Sequence, residues 1–161
     1  MIEKMSTSLV VRRATADDSE FLLCLRNEKG VRMSFWNASP VERETHERWL
    51  TVTLKNLFRV LCVVEVEGEL IGQVRFDLAS DKRTAETSIS LTVASRGRGY
   101  GAKSLIAARE RLAAEVPNIR TIYAHIKPGN EGSVKAFEKS GYRRTERTEY
   151  EGHPCIEMVL S

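Results

Sequence analysis

Two periods run through the chain. Stretches of β-branched residues that alternate or run on read as strands, and stretches with apolar residues three and four apart read as helices. Leu9–Arg13 (LVVRR) predicts a first strand. A helix from about Asp17 to Glu28 follows, with Thr15 and Asp17 near its start and Gly30 just past its end. Phe21, Leu22 and Leu25 supply its apolar face. Ser39-Pro40-Val41-Glu42 has the form of a capping box with proline at the first helical position. It opens a second helix to about Lys55, with Trp49 and Leu50 on the inward stripe. Arg59–Glu67 turns at Gly68 into Glu69–Leu78, and the polar run Ala79–Arg83 leads into Thr84–Val93, an antiparallel meander. A third helix runs from about Gly99 to Glu115 and ends before Pro117. Strand Arg120–Ile126 precedes a fourth helix, from about Asn130 to Lys139, which stops at Gly141. A final pair, Tyr142–Tyr150 and Cys155–Leu160, turns through Glu151-Gly152-His153-Pro154. The order predicts one α+β domain over residues 1–161: a mixed, mostly antiparallel seven-stranded sheet flanked by about four helices.

Composition narrows the chemistry. The 161 residues can bury a full core, and 42% hydrophobic with 29% charged is the balance of a folded chain. The net charge of +3 is too small to argue for nucleic acid. Of the 25 basic residues 17 are arginine, which favours planar, bidentate contact with a small anion. Cys24, Cys62 and Cys155 lie far apart without a CxxC, which fits a reducing cytoplasm and predicts three small buried hydrophobes. Three His and three Cys are scattered without ligand spacing, so no metal is expected. The start, MIEKMSTSLV, lacks an apolar core of signal length, and no apolar run approaches a membrane span; Met5 is an alternative start. A monomer or homodimer is expected.

The sharpest local feature is Arg96-Gly97-Arg98-Gly99-Tyr100-Gly101-Ala102-Lys103-Ser104, between a strand and a helix. Repeated glycines let the backbone approach a ligand, and a helix start offers unpaired N–H groups to an anion. Gly97-x-Gly99-x-x-Ala102 matches a dinucleotide fingerprint, but the preceding strands form a meander, not a parallel βαβ unit. Gly97 to Ser104 is a near-miss phosphate loop, but Asp17, Asp18, Asp77 and Asp81 all precede it, leaving no downstream aspartate for magnesium.

Arg96-x-x-Gly99-x-Gly101 at a strand end, opening a helix, resembles the acyl-CoA pyrophosphate loop of the GNAT N-acetyltransferase superfamily. Asn130-x-x-Ser133-x-x-x-Phe137-x-Lys139-x-Gly141-Tyr142 resembles its later motif, and the element order agrees along the whole chain. The resemblance implies acetyl-CoA as donor, without metal. Ile89, Ser90 and Leu91 would pair with the pantetheine arm. Gly97, Arg98, Gly99, Tyr100, Gly101 and Ala102, after Arg96, would cradle the pyrophosphate. Asn130 and Ser133 would contact pantetheine, Phe137 would pack on it, and Lys139 would reach a phosphate. Val93 stands where the family often has proline. Phe137 stands where the family often has the tyrosine that protonates the leaving thiolate, which leaves water, Ser133 or Tyr142 for that step.

Acetyl transfer needs a base for the amine. His125 titrates near neutrality and lies near the end of a strand facing the donor loop; Glu86 shares a polar strand face with Ser88 and Ser90. Both remain open. The pattern Arg26-Asn27 … Phe35-Trp36-Asn37 … His46-x-x-Trp49, with Ala85-Glu86 and Ile126-Lys127-Pro128, resembles the branch that acetylates amino sugars on nucleotide carriers. There the aromatics would stack on a base or sugar, and Arg26 or Arg32 would meet a diphosphate. On the bland reading Phe35, Trp36 and Trp49 pack helices and His46 sits on a helix surface. An acetyltransferase of protein N-termini and a non-catalytic acyl-CoA-binding module are the alternatives.

Overall fold

In the computed structural model, which describes residues 8–161, the most continuously apolar segment becomes a strand covered on both faces. It is β2 (Arg59–Val66), flanked by β1 (Leu9–Arg13) and β3 (Glu69–Leu78). Val60, Cys62 and Val64 pack with Leu105, Ala108 and Leu112 of α4 (Tyr100–Glu115). Leu61 and Val63 face the other way, onto Leu22 of α1 (Ser19–Asn27) and Leu50 of α3 (Arg43–Lys55). Burial on both faces is why the strand reads as a run and not as an alternation.

The remaining elements are α2 (Lys29–Arg32), β4 (Thr84–Leu91), β5 (Thr121–Ile126), α5 (Glu131–Lys139), β6 (Arg143–Arg144), β7 (Glu149–Tyr150), β8 (His153–Pro154) and β9 (Ile156–Leu160). The main sheet has seven strands in the order β1-β2-β3-β4-β5-β9-β6, antiparallel throughout except between β4 and β5. That parallel pairing holds only for Thr84–Glu86 against Thr121–Tyr123. Beyond it the two strands part, and residues 87–91 of β4 lack a neighbour on that side. The α+β architecture and the strand count are as the sequence predicts.

Four local expectations change. Helix two starts at Arg43, past its sequence capping box: the Asn27 side-chain amide accepts from Val41 N–H and donates to Val41 C=O, both at 2.7 Å, which keeps Val41 extended. Gly30 does not end helix one but sits in α2, a fifth helix. A Cβ there would lie 2.6 Å from Val93 Cγ2, so glycine allows this corner to touch the loop after β4. The final long hairpin is broken. After Arg144 the chain leaves the sheet and forms β7–β8, a separate two-stranded piece turning at Glu151 and Gly152, both left-handed with φ 50° and 79°. His153-Pro154 is therefore strand, not turn. Cys62 and Cys155 are buried as expected, but Cys24 is exposed on α1.

Candidate active site

The gap between β4 and β5 opens into a cavity of about 750 Å³. Its walls come from the end of β4, the glycine loop, the start of α4 and one face of α5. Gly97 and Gly99 have φ of +76° and +80°, a region costly for any residue with a Cβ. Gly99 is the N-cap of α4 and has no side chain to satisfy the first amides, so the positive end of a 16-residue helix faces the cavity. Lys127, Lys135 and Lys139 line the opposite side. The cavity thus offers backbone amides and cations to an anion.

Of the predicted donor-side residues, Ile89, Ser90, Leu91, Arg96, Gly97, Gly99, Tyr100, Gly101, Ala102, Asn130, Ser133 and Lys139 line this cavity. Arg98 is exposed and lines neither cavity. Phe137 borders a second, smaller cavity and lies edge-on to Tyr142, ring centroids 4.9 Å apart. Two residues have their polar groups committed. Arg96 Nη2 donates to Gly30 C=O (3.0 Å) and Leu91 C=O (3.5 Å). Asn130 Oδ1 accepts from Ser133 N–H (3.3 Å), capping α5. Arg96 thereby ties the glycine loop to the α1–α2 corner, helped by Glu28 Oε1, which accepts from Val93 N–H at 2.8 Å. Gly101 has an additional reason to be glycine: a Cβ there would lie 3.0 Å from Ala136 Cβ on α5. Lys135 went unnoticed in the sequence, and Lys127 stood there only in the Ile126-Lys127-Pro128 pattern, without a place at this cavity. Lys135 was legible as the residue one turn before Lys139; Lys127 faces the cavity only because β4 and β5 diverge.

The smaller cavity, about 220 Å³, shares Ser34, Ile89, Ser90, Lys127, Asn130 and Ser133 with the larger one. A group bound in each would meet at this junction. Phe35, Trp36, Arg75, Glu86, His125 and Tyr150 border the smaller cavity. Arg75 went unnoticed because its place comes from register: it pairs with Ser88, next to Glu86 along the same face. Tyr150 arrives on the β7–β8 hairpin, whose turn at Glu151-Gly152 the sequence predicts but whose separation from the main sheet it does not.

Glu86 and His125 are brought together. Glu86 Oε2 lies 3.3 Å from His125 Nδ1, and Glu157 Oε2 lies 2.7 Å from His125 Nε2. The imidazole also stacks on Tyr150, centroids 3.6 Å apart and planes at 3°. Its side chain is 6% exposed, against 40% for Glu86. Burial pulls the His125 pKa down, but the two carboxylates outweigh it and the pKa is raised. The contact with His125 holds Glu86 below its usual range, against the opposing pull of burial. Neither ring nitrogen is open to the cavity, whereas the Glu86 carboxylate is.

The acceptor-side prediction divides. Phe35 and Trp36 border the smaller cavity, and Trp36 stacks on His153 at 5.1 Å and 8°. Arg26, Asn27, Asn37 and His46 line neither cavity. Arg26 lies over the Phe35 ring at 4.0 Å and donates to Asn37 C=O at 2.9 Å; Arg32 donates to Ala38 C=O at 3.0 Å. With Asn27 on Val41, these residues shape the loop that carries Phe35 and Trp36. His46 is buried against Trp49, not on a helix surface, and burial lowers its pKa. For the thiolate proton, Tyr142 is buried away from both cavities, with its hydroxyl unpartnered and its pKa raised by burial. Ser133 stands at the junction. Among the described residues no group of His, Cys, Asp and Glu could hold a metal ion, and no helix is long and apolar enough to cross a membrane.

Comparison with known proteins bears on the family and the fold. The profile of the family described as acetyltransferase (GNAT) domain matches residues 8–143. The L-methionine sulfoximine/L-methionine sulfone acetyltransferase of Pseudomonas aeruginosa is 24% identical over 140 residues, 84% of this chain and 80% of that protein. YwnH of Bacillus subtilis, provisionally named a phosphinothricin acetyltransferase, is 31% identical over 140 residues, 83% of each chain. Among solved structures, the aminoglycoside acetyltransferase AAC(6')-Ib in complex with coenzyme A superposes with a TM-score of 0.83 at 19% identity, over 96% of this chain and 95% of that one. The spermidine N-acetyltransferase of Vibrio cholerae, with CoA and spermine, gives 0.81 at 22% identity over 94% of each.

Proposed function

The chain belongs to the GNAT acetyltransferases, and from that premise we propose how its two cavities divide the reaction. It is an acetyltransferase with acetyl-CoA as acyl donor. The larger cavity takes the donor, with the pyrophosphate on the amides of the glycine loop and the start of α4 and the pantetheine along residues 89–91 of β4. The smaller cavity takes a primary amine. The junction places amine and thioester together, which supplies the proximity term of catalysis.

Glu86 carries this reading: of the two carboxylates in the wall of the smaller cavity, Glu86 and Glu151, it is the one held against His125. Its carboxylate binds the ammonium group and takes a proton from it, directly or through one water. The free amine attacks the thioester carbonyl. Backbone amides along residues 87–91, left without a strand partner beyond the β4–β5 pairing, are the donors for the oxyanion. The C–S bond then breaks, and Ser133 or water at the junction supplies the thiolate proton. His125 stands behind Glu86 and orients it.

The acceptor is a compact amine that also bears an acidic group. The cavity of about 220 Å³ falls below the roughly 300 Å³ at which drug-sized sites begin. Arg75 and Lys127 accompany Glu86 and Glu151 in its wall; each has one protein partner, Asp77 at 3.3 Å and Met33 C=O at 3.2 Å, and each keeps further N–H groups for an anion beside the site for the amine. Methionine sulfoximine, methionine sulfone and phosphinothricin, the acceptors in the names of the relatives above, have this chemistry. A nucleotide-linked amino sugar is the second reading, favoured by the aromatic Phe35 and Trp36. It is weakened by Arg26 and Arg32, the residues that would meet a diphosphate, which line neither cavity. The test is thiol release from acetyl-CoA with methionine sulfone, phosphinothricin, glucosamine, UDP-linked amino sugars, spermidine and N-terminal peptides. Turnover with the first two, lowered roughly 100-fold or more by Glu86→Gln, is expected. Turnover confined to the nucleotide sugars or peptides would overturn the acceptor, and binding of acetyl-CoA without any transfer would favour a binding module.

A further inference from the structure

Behind the Glu86–His125 contact stands a third side chain that the chemistry above does not use. Glu157 of β9 lies directly opposite His125 of β5, and Glu86 of β4 lies opposite Tyr123, two residues before His125. Residues two apart in a strand share a face. Glu86, His125 and Glu157 therefore form one row across three adjacent strands.

The row is held firmly at its far end. Glu157 is 7% exposed. Its Oε2 contacts His125 Nε2 at 2.7 Å and Arg147 Nε at 3.2 Å, and its Oε1 accepts from the Thr145 hydroxyl at 2.9 Å. Thr145 N–H also donates to Glu157 C=O at 2.9 Å. The His125 ring is thus clamped in its plane by Tyr150 and at one nitrogen by Glu157, leaving only Nδ1 to face Glu86. The charged or titratable neighbours of the row are Glu86 with Arg75 and Asp77 beyond it on β3, Tyr150 and Glu151 on the hairpin, and Arg147 behind Glu157.

We infer that Glu157 is a positioning residue for acetyl transfer: it fixes the His125 ring and, through that ring, the orientation and charge of Glu86 in the acceptor cavity. The inference rests on the reading of Glu86 as the group that takes the amine proton. Two opposing substitutions follow from the geometry. Glu157→Gln keeps the shape but removes the negative charge at Nε2, so His125 holds its proton less tightly and stands neutral beside Glu86 down to a lower pH. Arg147→Gln, on a side chain 56% exposed, removes a positive charge that competes for Glu157, so His125 holds its proton more tightly.

The experiment follows the His125 Cε1–H resonance through a pH titration by NMR, assigned by its loss in His125→Gln, with His46 as internal control. In parallel, the pH profile of kcat/KM for the amine is measured. In Glu157→Gln the His125 midpoint falls by about one pH unit and the acid limb of kcat/KM, set by the charging of His125 beside Glu86, moves down with it, while KM for acetyl-CoA stays within twofold. In Arg147→Gln both move the opposite way. Amide spectra check that each variant folds; if Glu157→Gln does not, Arg147→Gln alone decides by the direction of its shift. An unmoved His125 midpoint, or a moved midpoint with an unmoved kinetic limb, overturns the role of Glu157. Wild-type turnover in Glu86→Gln overturns instead the assignment of Glu86, and the two failures are told apart because the NMR titration does not depend on turnover.

Discussion

Gly101 tests whether the donor cavity is built by close helix packing. A Cβ at this position would sit 3.0 Å from Ala136 Cβ, well inside the roughly 3.5–4.0 Å of an ordinary carbon–carbon contact. Gly101→Ala therefore has two opposing effects. Replacing glycine within a helix gains about 1 kcal/mol of helix stability. Overpacking a tight contact costs about 1–3 kcal/mol. The net change is thus a loss of about 0–2 kcal/mol, too close to zero to be decisive alone. Ala136→Gly removes the atom that clashes. In that background Gly101→Ala keeps the gain and sheds the cost, so a coupling of about 1–3 kcal/mol is expected between the two substitutions. Urea unfolding of the four proteins measures it, and isothermal titration with CoA follows the site. Gly101→Ala weakens CoA several-fold, because α4 and α5 both wall the cavity and must move apart, and Ala136→Gly restores affinity. Stabilities that add within about 0.5 kcal/mol, with unaltered CoA affinity in Gly101→Ala, would refute the packing argument.

Two more predictions probe other levels of the structure. Gly99→Ala meets no atom within 4 Å but forces an alanine to φ +80°, so it costs about 1–2 kcal/mol by backbone strain alone and lowers CoA affinity as the first amides of α4 turn away; unchanged affinity would remove the loop from the donor site. Asp18, 3% exposed, has its pKa lowered first by the Arg12 hydrogen bonds, with burial opposing and the Thr15 backbone N–H assisting. A carboxylate depressed in the folded state adds stability that is present above its unfolded pKa of about 3.9 and is lost as pH falls through the folded value. Asp18→Asn therefore destabilises by about 1–3 kcal/mol at pH 7 and flattens the stability curve below pH ~4 in denaturant melts at several pH values; an unchanged acid limb would place that loss elsewhere.

How much the sequence disclosed depended on the range of the cause. Local causes were legible. The glycine loop that opens a helix, the helix start near Asn130 and the strand over 59–67 each follow from neighbouring residues, and each stands where the pattern placed it. Expectations failed where a distant group overrode a local signal. Ser39-Pro40-Val41-Glu42 is a sound start for a helix, but the Asn27 amide holds Val41 extended from a different helix. Gly30 reads as a helix stop, yet it is glycine because Val93 passes it. The candidate site divides in the same way. The residues read as the donor side come together in one cavity because a contiguous loop and helix start carry most of them, whereas those read as the acceptor side divide, because the smaller cavity is assembled by register. Arg75 enters through pairing with Ser88, Glu157 through pairing with His125, and Tyr150 through a hairpin that replaces a predicted long strand. This bears on the two candidates for the base. From sequence, His125 and Glu86 were rivals, one an imidazole near a strand end and the other on a polar strand face. The cross-strand row makes them partners with unequal access, since the imidazole is enclosed by Glu157, Tyr150 and Glu86 while the Glu86 carboxylate remains open to the cavity. The imidazole is thus the less accessible group and the Glu86 carboxylate the more open one, which is the ground for proposing that the carboxylate takes the amine proton.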